Sequence, residues 1–145
     1  MDARAALRWA DGHEHLTITA GTKGGRPRQI PLSNREWQIK VLERAAAIQG
    51  SHHSLVPKEL TWKEFREGEV RQARELLQRY GITRLHELRA AYACDRYARI
   101  SGCLAPVLGG KAGREVDVRA RMQVAEELGH GRIDVTNAYL GGQRS

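Results

Sequence analysis

Along the chain the hydrophobic pattern changes its period, from strand-like alternation near the N-terminus to helical spacing through the rest. Leu16-Thr17-Ile18-Thr19-Ala20 alternates apolar and polar residues, as does Gln29-Ile30-Pro31-Leu32, and glycines lie between them. Alternation interrupted by glycine predicts a β-hairpin with a long basic tip, which carries Lys23, Arg26 and Arg28. Ser33 followed by Glu36 reads as a capping box, and Trp37, Val41, Ala45 and Ile48 then recur at helical spacing, predicting a helix over residues 34–49. A second box, Thr61 to Glu64, opens another helical pattern whose inner face would be Trp62, Phe65, Val70, Ala73, Leu77 and Tyr80.

Gly68 weakens that second helix by roughly 1 kcal/mol relative to alanine and predicts a kink or split there, and Gly81 stops it. From Thr83 the pattern restarts with Leu85, Leu88, Tyr92 and Ile100, which puts His86 and Arg89, three apart, on one strip of a helix. Glycines, Pro106, Lys111 and Arg114 describe a loop over residues 102–113. Val118, Met122, Ala125 and Leu128 mark a further helix ending near Gly129, and Asp134 is placed to cap a short last helix carrying Tyr139. The fold class is therefore α+β, mainly α: one domain over residues 1–145, with a hairpin region at 1–32 and a helical region at 33–140.

Composition narrows the partners. The 24 lysines and arginines outnumber the 17 acidic residues, and a pI near 9.9 points to a polyanion, nucleic acid before membrane. No apolar run reaches the roughly 18 residues of a membrane helix, and Met1-Asp2-Ala3-Arg4 lacks a secretory signal's apolar stretch, so a cytoplasmic location is expected. Cys94 and Cys103 are too few for a disulfide framework and read as reduced thiols. His13 with His15, and His52 with His53, have no cysteine or acidic partner at ligand spacing, so no metal is expected. Neither Lys23-Gly24-Gly25 nor Gly110-Lys111-Ala112 has the order of a nucleotide-binding loop, so no nucleotide cofactor is expected either.

Several polar positions carry two readings. His130, in Leu128-Gly129-His130, suits a residue closing the preceding helix and equally a phosphate ligand. Tyr139, nine residues on, is a core aromatic or a nucleophile behind a short helix. His86 and Arg89 form a solvated polar strip or a phosphate clamp, since a guanidinium holds two non-bridging oxygens in a planar fork and stays charged. The basic tip around Lys23, Arg26 and Arg28 reads as an electropositive hairpin for gripping DNA backbone or, compatibly, as the carrier of a general acid, its lysine lying beside two glycines. Lys111 and Arg114 join the DNA-binding set.

Taken in order, the hairpin lysine, the His86-Glu87-Leu88-Arg89 helix, the Leu128-Gly129-His130 turn and Tyr139 resemble tyrosine recombinases over about residues 7–140, and most of all phage-type integrase-domain proteins of proteobacteria. The resemblance implies a mainly helical catalytic domain with a small antiparallel sheet. It also implies double-stranded DNA as partner, self-assembly on that DNA, and strand cleavage through a 3′-phosphotyrosine without metal or nucleotide cofactor. By position, Tyr139 becomes the nucleophile, Arg89 the second catalytic arginine, His86 and His130 the phosphate and proton-handling residues, and Lys23 the general acid. The family's first catalytic arginine would fall just before Met1, and Arg4 is offset from it. The expectation is thus a truncated catalytic domain with impaired turnover, the alternative being a non-catalytic DNA-binding remnant.

Overall fold

The computed structural model describes residues 1–20, 22, 25–130 and 132–142. In chain order the elements are α1 (Ala3–Ala10), β1 (His15–Ile18), β2 (Arg28–Pro31), α2 (Arg35–Gln49), α3 (Trp62–Glu67), α4 (Glu69–Arg79), α5 (Leu85–Ser101), a 3-10 turn (Pro106–Leu108), α6 (Arg114–Glu127) and α7 (Ile133–Leu140). The class is α+β and mainly α, with one two-stranded antiparallel sheet. Two compact units divide between Ala73 and Arg74, inside the stretch read from sequence as one helical region.

In the first unit β1 pairs with β2 from His15↔Pro31 to Ile18↔Arg28. Proline ends this ladder at an edge, where its missing N–H costs nothing. Ala10, Leu16, Leu32 and Leu42 form the core beneath the sheet. The pattern of the chain gave no sign of α1, an eight-residue helix held by long-range contacts instead. Asp2 caps it by accepting from Ala5 N, and Gln49, at the end of α2, accepts from Ala3 N at 2.6 Å and donates to Asp2 at 2.8 Å.

Two expectations need correction here. Ser33 does not cap α2: the N-cap is Asn34, without a side-chain cap bond, and its N–H donates to Gln38 Oε1 while Glu36 pairs with Lys40. The inner face assigned to the second helical pattern is not buried either. The Thr61–Glu64 box forms and Gly68 splits the helix into α3 and α4, yet neither helix has a buried residue, and Trp62 and Tyr80 are 62% and 78% exposed. Apolar periodicity marks a face that something can cover; it does not supply the cover.

In the second unit α5, α6 and α7 pack on one another around Ala93, Tyr97, Ala120, Val124, Leu128, Tyr139 and Leu140. Gly102, at φ 72°, closes α5 in a left-handed turn that only glycine adopts without strain. Gly141 closes α7 at φ 76°, where a Cβ would come within 3.1 Å of Val107 N, so glycine lets α7 abut the 3-10 turn. Asp134 is not the cap of α7: Arg132 holds that position without a side-chain bond, and Asp134 sits 3.6 Å from its guanidinium.

Candidate active site

Local geometry explains why Leu128-Gly129-His130 delivers a fixed imidazole. Leu128 is the C-cap of α6, Gly129 takes φ 69°, Gly129 N–H donates to Glu126 O and His130 N–H donates to Ala125 O at 2.8 Å. That bonding is a Schellman closure, and it puts the residue after the glycine at one defined point past the helix end. Arg89, from α5, donates through Nη2 to Leu128 O at 2.6 Å, where the negative end of the α6 dipole favours a cation. The same Nη2 meets His130 Nε2 at 3.2 Å. A guanidinium only donates, so Nε2 accepts and the ring proton belongs on Nδ1, which lies 3.3 Å from Thr136 Oγ1.

Tyr139 comes to this point from α7, one helical step after Thr136. Its ring stacks on His130, with 5.6 Å between centroids and 6° between planes, and is tilted on His86 at 5.0 Å and 39°. His86 is exposed, Arg89 half-buried and Tyr139 only 8% exposed. Among the described residues no partner hydrogen-bonds the Tyr139 hydroxyl, whereas its carbonyl accepts a long 3.8 Å contact from Cys94 Sγ. Burial pushes the Cys94 thiol up. Arg89 Nε is buried with no hydrogen-bond partner among the described residues.

The structure therefore gathers His86, Arg89, His130 and Tyr139 within one unit. Lys23 lies outside the described residues. Arg26 is exposed beyond the sheet, and Arg28 is half-buried on β2 with its Nε unpartnered among the described residues. Lys111 and Arg114, both exposed, line a cleft of about 950 Å³ with Gly109, Gly110, Gly141 and Gly142, at the start of α6 and just past the end of α7. Among the described residues no group of three or more His, Cys, Asp or Glu side chains gathers as a metal site. Among them, too, no helix is long and apolar enough to cross a membrane.

Sequence reading missed the buried polar groups behind the site. Arg96 forks onto Glu127 at 2.8 and 2.7 Å, and Tyr92 donates to the same carboxylate at 2.7 Å. Burial, reinforced by Glu127, pushes the Tyr92 phenol up. Tyr97 donates to Asp117 at 2.6 Å, Arg121 Nε donates to Asp117 at 2.8 Å, and Arg121 Nη1 donates to Asn137 Oδ1 at 2.6 Å. Tyr97 is pushed up to about 12, by burial first and Asp117 second. The Asp117–Arg121 pair was legible as an i,i+4 spacing; its burial and its reach to α7 were not.

In a basic, mainly helical chain, a guanidinium, two imidazoles and a phenol thus meet within one unit. The family model described as Integrase matches residues 6–95, more than half of the chain, and the chain belongs to this phage-type integrase, or tyrosine recombinase, family. The family acts in site-specific recombination, with DNA as its partner. The matched residues include His86 and Arg89 and stop short of His130 and Tyr139. No curated protein and no solved structure matches the chain.

Proposed function

We propose that this protein cleaves and rejoins DNA strands through a 3′-phosphotyrosine on Tyr139. The observation that carries this reading is the convergence on the phenol of His86 and His130, with ring centroids 5.0 and 5.6 Å away, while Arg89 meets His130 at 3.2 Å. The phenol oxygen attacks the phosphorus, a bond forms between them, and the bond to the 5′ oxygen of the next nucleotide breaks. The phenol proton passes to a neighbouring imidazole, and the leaving 5′ oxygen takes a proton from Lys23. Arg89 and His86 stabilise the charge that builds on the non-bridging oxygens. Attack by a 5′ hydroxyl of a second strand reverses the step, so the phosphodiester bond is conserved.

Incubation with a nicked duplex that traps the covalent intermediate is expected to give a denaturation-resistant protein–DNA adduct, absent in Tyr139→Phe. An adduct of equal yield in that variant refutes the assigned nucleophile. One observation favours a second reading, a DNA-binding module without chemistry: Tyr139 is part of the hydrophobic core. On that reading duplex binding is salt-sensitive and no adduct forms, however long the incubation.

A further inference from the structure

The Asp117–Arg121 pair is one of the most deeply buried ion pairs of the second unit, with both side chains 5% exposed, and its guanidinium reaches the helix that bears Tyr139. Three of its surroundings fix that guanidinium. Nε is held by Asp117, whose other oxygen accepts from Tyr97; the guanidinium carbon lies 6.0 Å from the centroid of the Tyr97 ring; and Nη1 donates to Asn137 at 2.6 Å. A planar, fully charged fork locked in this way has little freedom to follow a moving partner. Asn137, by contrast, is exposed and precedes Tyr139 by two residues on an eight-residue helix.

We propose that Arg121, acting through Asn137, is a positioning residue that sets where α7 presents Tyr139. The inference rests on Tyr139 being the nucleophile, and it assigns the control of its reach to a rigid group in α6 rather than to the helix carrying it. A short helix gains little from its own hydrogen bonds, so its placement depends on tertiary anchors. Arg121 Nη2 is buried without a hydrogen-bond partner among the described residues, so a carboxylate at position 137 offers oxygens to both terminal nitrogens.

The test compares Asn137→Ala and Asn137→Asp in the full chain, by amide hydrogen exchange of α7, by duplex affinity and by single-turnover adduct formation on the nicked substrate. For Asn137→Ala, α7 exchange is expected to accelerate while α5 and α6 keep their protection. Adduct formation should slow about 10- to 100-fold, as for a misplaced reacting group, with duplex affinity unchanged. Asn137→Asp should restore both exchange and rate. Unchanged α7 exchange in Asn137→Ala, or a loss in Asn137→Asp as large as in Asn137→Ala, overturns the proposal. A wild-type protein that forms no adduct, or a Tyr139→Phe variant that still does, defeats the strand-cleavage reading instead, and the exchange comparison still decides whether Arg121 anchors α7.

Discussion

The imidazole of His130 lies parallel to the phenol of Tyr139, with 6° between their planes and 5.6 Å between their centroids. The two residues reach this arrangement from opposite sides of a turn, one fixed by the helix closure after Leu128, the other carried by α7. Thr136, a helical step before Tyr139, approaches the far nitrogen of the same imidazole. Ring position and ring tautomer are thus set together, with Arg89 on the opposite nitrogen.

Arg89→Lys keeps a positive charge but loses the planar guanidinium whose Nη2 donates to Leu128 O and meets His130 Nε2. Single-turnover adduct formation on the nicked duplex should fall by about 100- to 1,000-fold, as for removal of one charge-stabilising donor. A rate equal to wild type would show that the guanidinium geometry is not used in the reaction.

Glu127 is 6% exposed on its side chain and accepts from Arg96 and Tyr92, so Glu127→Ala leaves a buried guanidinium uncompensated. Urea unfolding should register a loss of about 3–5 kcal/mol. The double replacement Arg96→Met with Glu127→Leu removes both charges and should recover most of it. Equal destabilisation in the single and double variants would contradict a desolvated pair.

Glu87 accepts from Thr83 N and Oγ1 at 3.1 and 2.5 Å and so secures the first turn of α5, which bears His86 and Arg89. The Thr83 side-chain hydrogen bond, opposed by desolvation, holds this carboxyl below its ordinary value near 4.5. The unfolded chain therefore binds the proton first as pH falls. The contribution is whole above pH 4.5 and is lost as acid carries the group through its lower folded value. Amide exchange in the first turn of α5 should rise in that acid window and lose this dependence in Glu87→Gln. An identical acid profile in the variant would assign the effect to another group.

Lys111 and Arg114 both line the cleft beside the end of α7. If each neutralises one phosphate, Lys111→Ala with Arg114→Ala should lower the salt slope of duplex binding by about 1.8, near 0.9 per contact. Fluorescence anisotropy over a range of salt concentrations measures that slope. Weaker binding with an unchanged slope would mean that these residues support the fold of the loop and do not contact backbone.

Much of the helical region was legible because its cues are local. Gly68 divides a helix wherever the rest of the chain goes, and Leu128-Gly129-His130 encodes a closure in three residues. The hairpin was legible for the same reason, shifted by one or two residues from the expected strands. The site was legible in part. His86 and Arg89 declared themselves by spacing on one helix, whereas the meeting of His130 with Arg89 spans 41 residues. Arg121 and Glu127 look like any helical surface charge in the sequence; packing of α5, α6 and α7 is what buries them.

The amino-acid sequence by itself determined the places of most helices and where they split and stop, the net positive charge, and the order of the polar residues that resemble a recombinase, because propensity, helix-stopping glycines and charge act over a few neighbouring residues. Tertiary structure alone decided that α1 forms against α2, that no residue of the apolar stripes of α3 and α4 is fully buried, and that the core residue Tyr139 packs against two imidazoles. Those outcomes depend on which distant surfaces meet, and burial, not periodicity, sets whether a phenol or a guanidinium faces water or another side chain.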